Sequence, residues 1–253
     1  MKIVLVGYGK MGREIDQIAR QKEHQVICKI DPIDKEADSP TLTLEIAKSA
    51  DAIIEFALPQ NMDHNIDIYA ASKTPVVIGT TGWQSKLAQY KEKILQAGGS
   101  LIYGSNYSVG AHILFRLCAY ATKMSSHISD YDLMISEIHH KFKKDSPSGT
   151  ALSLANYVMQ NSSVKTSLLT EQLPTRAISE NELQVAALRG GYVPGTHTLY
   201  LDSQADTIEI THRARSRSGF ALGAVLASQW LIQKPSGFYQ VEDFINELIG
   251  EIK

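Results

Sequence analysis

The sequence predicts an α/β protein: a Rossmann-type doubly wound parallel sheet, joined to an α+β domain with a mixed sheet. Three observations predict it. An apolar run, Lys2 to Val6, passes directly into Gly7-Tyr8-Gly9-Lys10-Met11-Gly12 and then into an amphipathic stretch. Strand-like and helix-like segments alternate as far as Val109, the pattern of a parallel sheet with helices on both faces. Beyond Val109 strands follow one another without intervening helices, which calls for a mixed or antiparallel sheet and a second domain.

The glycine string gains weight from its place between a strand and a helix. Gly7 permits the tight turn, Gly9 lets a pyrophosphate approach the backbone, and Gly12 lets helix and strand pack closely. The exposed amides at the helix start then hold phosphates. Taken alone, the string could be a glycine-rich turn of some other α/β protein. A second strand, Gln25 to Ile30, ends at Asp31, about twenty residues on, where an acid can bind the adenosine ribose hydroxyls. A carboxylate there repels a ribose phosphate and favours NADH, while Lys35 offers a cation nearby, so NADH and NADPH both stay open.

Further units continue the rhythm: strand 51–56, helix 61–72, strand 75–78, helix 84–97 and strand 100–103. Two strand ends carry small polar loops, Gly79-Thr80-Thr81-Gly82 and Gly104-Ser105-Asn106-Tyr107-Ser108. In such a sheet ligands sit beyond the carboxyl ends of the strands, so these loops should line the nicotinamide site. Either loop by itself could be a plain turn.

The second domain is expected over 110–217, and the first over 1–109 and 218–253. It opens with a helix over 110–124 and a strand with period-two alternation over 131–138; a helix over 148–160 follows, and residues 161–181 read as largely loop. Strands follow over 183–188, 196–201 and 207–211. A long apolar helix over 218–233, the Pro235-Ser236-Gly237 turn and a last helix over 241–249 form a helical pair that suits a return to the first domain.

At 253 residues, with a net charge of -2, the chain offers no whole-molecule reason to bind nucleic acid or an acidic membrane. The short basic cluster His212 to Arg217 lacks interleaved aromatics, and its position before a helix favours a domain hinge, with an arginine in reach of cofactor or substrate. No apolar run approaches membrane-spanning length. Two distant cysteines, Cys28 and Cys118, fit neither a zinc nor a redox spacing. With a chain that opens directly on a strand, they give the expectation of a cytoplasmic protein.

The chemistry should reside in Glu137 to Ala151, E-I-H-H-K-F-K-K-D-S-P-S-G-T-A. His139 and His140 can face one ligand only if the strand ends at this point, and Pro147 and Gly149 supply such an ending. A histidine near its ordinary pKa of about 6.5 is a ready proton donor, the more so beside an anionic substrate. Lys143 could hold a carboxylate or stabilise developing negative charge. Ser148, Gly149 and Thr150 open a helix whose amides and hydroxyls can bind a second carboxylate. Zinc is disfavoured, since adjacent histidines without a further ligand at suitable spacing make an incomplete site. A solvated basic loop with a capping residue is the competing explanation of the charge run.

This stretch resembles the signature E-x-H-H-x-x-K-x-D-x-P-S-G-T-A of the 4-hydroxy-tetrahydrodipicolinate (dihydrodipicolinate) reductase family of lysine biosynthesis. G-Y-G-K-M-G, G-T-T-G, S-N-Y-S-V-G and I-T-H-R-A-x-S-R match further family landmarks in order, so the resemblance covers nearly the whole chain. It implies His139 as general acid, Lys143 as the residue assisting at the substrate, and His140, Lys143, Gly149 and Thr150 as binders of a small dicarboxylate. It implies dinucleotide contacts from Gly7, Gly9, Lys10, Met11, Gly12, Asp31, Gly79, Thr81, Ser105 and Tyr107, with Arg217 at the domain hinge. It further implies hydride delivery to the fourth ring carbon of the cyclic imine left when the hydroxy substrate loses water, and a homotetramer built by the central domain. The sequence departs from the family pattern where Asp31 precedes Pro32 and where Leu58 stands in place of a basic residue. Both bear on NADH versus NADPH, not on the reaction. Another two-domain amino-acid dehydrogenase would share the glycine loop without explaining the double histidine and P-S-G-T; a non-catalytic dinucleotide sensor would have no need of a proton donor.

Overall fold

The computed structural model describes residues 1–128, 130–170 and 176–250, and its packing divides the chain into a unit of residues 1–109 with 217–250 and a unit of residues 110–216. In the first unit β1 (Lys2–Val6), β2 (Gln25–Ile30), β3 (Ala52–Glu55), β4 (Val76–Ile78) and β5 (Ser100–Tyr103) join a last strand, Gly237–Gln240 (β11 in chain order), in one sheet. Its order is β11-β5-β4-β3-β1-β2, with every pairing parallel.

Successive strand residues point to opposite faces, and both faces here are covered, which explains why these strands read as unbroken apolar runs. Ile3, Leu5, Ile54, Val77 and Ile102 pack with Ile15 and Ala19 of α1 (Lys10–Gln21) and with α7 (Ser218–Ile232) and α8 (Val241–Ile249). Their alternates Val4, Val6, Ile53, Val76, Ile78 and Leu101 pack against α3 (Met62–Ser72) and α4 (Leu87–Ala97).

The second unit holds α5 (Val109–Ser125), β6 (Asp132–His139), α6 (Gly149–Asn161), β7 (Ser167–Leu169), β8 (Glu182–Arg189), β9 (Thr196–Asp202) and β10 (Thr207–Arg213). Its sheet runs β10-β9-β6-β8-β7 and is mixed: β6 pairs β8 in parallel and β9 antiparallel. Leu133 and Ile135 of β6 alternate inward onto Phe115 of α5 and Leu154 and Val158 of α6.

Three elements differ from expectation. Gly237–Gln240, expected as the end of a turn, is an edge strand beside β5; short and only partly buried, it has no long apolar run to announce it. Leu44–Lys48 (α2) is a one-turn helix whose start is capped by the Thr43 hydroxyl accepting from the Ile46 amide. Ser167–Leu169 adds a short edge strand within the polar 161–181 region, of which 171–175 lie outside the described residues, as do 251–253. Among the described residues no helix is long and apolar enough to cross a membrane.

Candidate active site

In the first unit the glycine turn has the geometry a dinucleotide requires. Gly7 has φ +91°, and a side chain there would strike the Phe56 carbonyl at 2.4 Å. A Cβ on Gly12 would meet the Gly7 carbonyl oxygen at 2.1 Å, so this glycine sets the close packing of α1 on β1. Gly9 is different: nothing lies within 4 Å of where its Cβ would be. It is exposed at the N-cap of α1, whose first turn carries no acidic residue, and Lys10 beside it is exposed too. Open space and orphan helix amides are what a pyrophosphate uses. Gly7, Gly9 and Asp31 border a cavity of about 410 Å³ that Pro32, Leu42 and Leu58 also line.

Asp31 is fixed as a carboxylate. One oxygen accepts from the Tyr8 amide at 2.9 Å, the other from Ile33 and Asp34 amides at 2.9 and 3.0 Å. Burial works to raise its pKa, but these hydrogen bonds prevail and lower it. Sequence reasoning missed two neighbours. The buried Tyr8 ring lies under the Arg13 guanidinium at 4.8 Å, and its hydroxyl donates to Asp16 at 2.7 Å. Arg13 in turn pairs with Asp34 and Glu36, each at 2.7 Å.

The strand-end loops separate into framework and surface. Thr81 and Ser105 are exposed. Gly79 lies where a side chain would meet the Phe56 ring at 2.1 Å, a packing role. Tyr107, expected at the cofactor, turns its side chain into the core, with its hydroxyl 3.0 and 3.2 Å from the Ile78 and Ile102 carbonyls. The phenol therefore ties down the loop. Met11 is half-buried against the α1–α7 core, and Arg217 is exposed as the N-cap residue of α7.

In the second unit the sheet register gathers a buried cluster around His139, the last residue of β6. Glu137 and His139 are two apart and share the helix-covered face. Antiparallel pairing sets His197 of β9 opposite Glu137; parallel pairing sets Arg189 of β8 opposite His139. Glu137 is shut off from solvent. Its Oε1 accepts from Arg189 Nη2 at 2.7 Å and the Ser148 amide at 2.9 Å, and its Oε2 from the Ser148 hydroxyl. The same Oε2 lies 3.2 Å from His139 Nδ1 and 3.4 Å from His197 Nε2. The His139 contact is too oblique for a formed hydrogen bond. The two imidazoles meet edge to face at 5.1 Å. A Cβ on Gly195 would lie 2.9 Å from His139 Nε2, so that glycine keeps room for the ring.

Burial tends to raise the Glu137 pKa, but hydrogen bonds from His197, Ser148 and Arg189 hold it far below the usual carboxylate range. His139 moves the other way from expectation: burial pushes it down to about 4, against the pull of Glu137 and with His197, Lys143 and Arg189 adding to the descent. Without a ligand its imidazole is neutral at pH 7, not the half-protonated donor its ordinary pKa suggests. Glu137, His139 and His197 offer donor atoms within 4.8 Å of one another, close enough to hold a cation. The Arg189 guanidinium already on Glu137 opposes a second positive charge there.

Lys143 donates to Asp145 Oδ1 at 2.8 Å. His140 is half-buried, its amide bonded to the Val193 carbonyl at 2.8 Å. Ser148, expected to serve a substrate carboxylate, instead spends its amide and hydroxyl on Glu137, while its Oγ caps α6 by accepting from the Ala151 amide at 3.2 Å. Gly149 and Thr150 open α6, where the first amides have no intrahelical acceptor. Glu137, Arg189, Gly195 and His197 were not assigned to the site from sequence. Only the i, i+2 spacing of Glu137 and His139 could have shown part of the cluster.

Two family models cover the chain. That of the dihydrodipicolinate reductase N-terminus matches residues 1–107, and that of the C-terminus matches residues 110–245. The chain is 38% identical over 249 residues to the 4-hydroxy-tetrahydrodipicolinate reductase of Christiangramia forsetii, covering 98% of this chain and 99% of the relative. It is 35% identical over 243 residues to that of Rickettsia bellii, covering 96% and 93%. In fold it is similar to a dipicolinate-bound dihydrodipicolinate reductase from Paenisporosarcina sp. TG-14, with TM-score 0.74, 18% identity and coverage of 95% and 97%. It also resembles an amine dehydrogenase from Mycobacterium smegmatis, with TM-score 0.63, 10% identity and coverage of 96% and 95%.

Proposed function

The chain belongs to the dihydrodipicolinate reductase family, and we infer that it reduces 4-hydroxy-tetrahydrodipicolinate, through dihydrodipicolinate, to tetrahydrodipicolinate in the diaminopimelate route to lysine. It is an NAD(P)H-dependent oxidoreductase. The observation that carries this reading is that the family match spans both units, the E-I-H-H to P-S-G-T-A stretch included.

The first unit is read as the dinucleotide domain and the second as the substrate domain. Gly7, Gly9, Gly12, Asp31 and the α1 amides fit a dinucleotide, because the space at Gly9 is open and the ribose-side acid is already preorganised. Bound there, the cofactor supplies the hydride. The protein does the rest. The Gly149 and Thr150 amides and Lys143, released from Asp145, hold the two carboxylates; His140 adds a donor. Their negative charge raises the His139 pKa, so that the imidazole acquires its proton when there is a substrate to receive it. Thr81 and Ser105 supply polar groups at the strand ends.

For the cofactor, NADH is favoured over NADPH. Asp31 remains charged, and Arg13, a cation on the ribose side, is held by two carboxylates instead of being open to a ribose phosphate. A homotetramer is assembled through the open face of the second sheet, where Met134 and Leu188 are 42% and 61% exposed. The protein works in the cytoplasm. A coupled assay tests the activity: the enzyme that condenses pyruvate with aspartate semialdehyde supplies substrate, and cofactor absorbance is followed. Substrate-dependent oxidation of NADH is expected; oxidation of neither NADH nor NADPH would sink the reading. Light scattering behind a sizing column checks the tetramer.

A further inference from the structure

We propose that Glu137 is the positioning residue for the proton donor. Its carboxylate, anchored by Arg189 and Ser148, fixes the orientation of His139 and lets that imidazole take up a proton when a dianionic substrate arrives. The inference rests on the reading of His139 as the donor in the reductase reaction.

Charge counting within the cluster carries the argument. Glu137 is shut off from solvent, so its charge needs a partner, and Arg189 at 2.7 Å supplies one. The pair is neutral, and so is the cluster while His139 and His197 are unprotonated. The groups facing His139 are Glu137 on its own strand, His197 from β9, Arg189 from β8 and Lys143 from the loop after β6. Of these only Glu137 favours the imidazolium; burial and the other three oppose it. Protonation therefore needs a second source of negative charge, and the substrate brings two carboxylates. Proton uptake is thereby coupled to occupancy of the site.

Geometry supports the same assignment. Glu137 is held at both oxygens by donors from β8 and the start of α6, so it cannot follow a moving imidazole; the imidazole must conform to it. Nδ1 lies 3.2 Å from Glu137 Oε2 and out of line for a hydrogen bond; protonation of the ring would draw it into line with the fixed carboxylate, leaving Nε2 to carry the transferable proton. That nitrogen faces Gly195, where the missing side chain leaves room. A carboxylate that fixes the tautomer and stabilises the imidazolium need never take the proton itself.

Wild type, Glu137→Gln and Glu137→Asp test the proposal by steady-state kinetics and by nitrogen-detected NMR titration of His139, with and without dipicolinate as a dianionic probe. Dipicolinate should raise the His139 titration in wild type. Glu137→Gln should abolish most of that rise and lower kcat by about 10²-fold with little change in KM. Glu137→Asp, which keeps the charge but draws it back, should recover part of both. Loss of turnover with an unaltered His139 titration would make Glu137 merely structural and overturn the proposal, as would wild-type kcat in Glu137→Gln. If Glu137→Gln does not fold, Glu137→Asp decides, since full turnover with its carboxylate drawn back would also overturn it. Wild type that responds to dipicolinate but turns over no substrate would instead sink the reductase reading.

Discussion

Glu55 at the end of β3 and Glu137 in β6 are both fully buried glutamates on central strands, yet they are held in opposite charge states. Among the described residues Glu55 meets only neutral donors, the Asn65 amide at 3.1 Å and the Tyr69 hydroxyl at 2.7 Å. Desolvation outweighs both and lifts its pKa to about 7. Glu137 meets a guanidinium, an amide and a hydroxyl, with two imidazoles close by, and stays ionised far below the ordinary range. Burial alone does not decide whether a carboxylate is charged; the partners do. In the first unit the buried acid belongs to the framework beneath the cavity, which Asn65 also borders. In the second it carries a charge that the chemistry can draw on.

The largest expected effect tests what that charge serves. His139→Gln should lower kcat by about 10²- to 10⁴-fold, the usual contribution of a positioned acid, while substrate KM changes little. Steady-state kinetics decides. Normal turnover with a raised KM would show that His139 binds instead of protonating, and the charge on Glu137 would then be as structural as the neutrality of Glu55.

The two regions also differ in how much their sequences disclose. Gly7, Gly9, Gly12 and the start of α1 lie within six residues, and Asp31 follows one strand later, because a strand–turn–helix unit is built locally. Its physics could be read in order along the chain. Around His139, two of the key partners, Arg189 and His197, are about fifty positions away, brought in by strand register. A single chain read linearly carries no register, so nothing in the sequence placed Arg189 or His197 beside His139. Tyr107 shows the opposite limit: its loop stands at a strand end, but the inward turn of its side chain depends on packing against Phe56 and Gly223, which the sequence does not show. Edge strands Gly237–Gln240 and Ser167–Leu169 escaped because half-buried short segments have no periodicity to show.

Next in size is a steric test of the second region. Gly195→Ala would put a Cβ 2.9 Å from His139 Nε2 and 3.7 Å from His197 Cε1. The added methyl should displace the imidazole and lower kcat by about 10-fold or more, since even an ångström of misplacement is costly. NADH affinity, measured by fluorescence titration, should not change. An unaltered kcat would mean that the ring position at Glu137 is not critical.

The first region makes its own prediction through pH. Glu55 ionises near 7 in the folded protein and near 4.5 when unfolded. Between those values the unfolded chain binds fewer protons, so this group's contribution to stability falls as pH rises from 4.5 to 7 and is constant beyond. Glu55→Gln removes the loss. Above pH 7 the variant should be more stable than wild type, by up to about 3 kcal/mol, with the advantage vanishing below pH 4.5. Urea melts across that range would reveal it. Glu137 has the reverse sign: its folded pKa is depressed, so its contribution is present above 4.5 and lost as pH falls below it. A stability gain for Glu55→Gln that does not vary with pH would show that Glu55 is not protonated in the fold.

The smallest effect is expected where carboxylates and a cation meet in solvent. Arg13 is paired with Asp34 and Glu36 at the same 2.7 Å that separates Arg189 from Glu137, but Arg13 and Glu36 are exposed. An exposed pair is screened by solvent, so releasing Arg13 should cost the fold little. It should, however, free a cation and remove two anions on the ribose side of the cavity. In the double variant Asp34→Asn, Glu36→Gln, NADPH should bind about two- to fivefold more tightly, while NADH affinity, which depends on Asp31, should be unchanged. The side-chain carbonyl oxygen introduced at position 34 can still accept from the backbone amide of position 36, as the Asp34 carboxylate does, so the loop should persist. Titration calorimetry with both cofactors separates the possibilities. Equal changes for NADH and NADPH would show that the loop, not the charge on Arg13, governs the ribose site, and partner charge would then matter only where water is excluded.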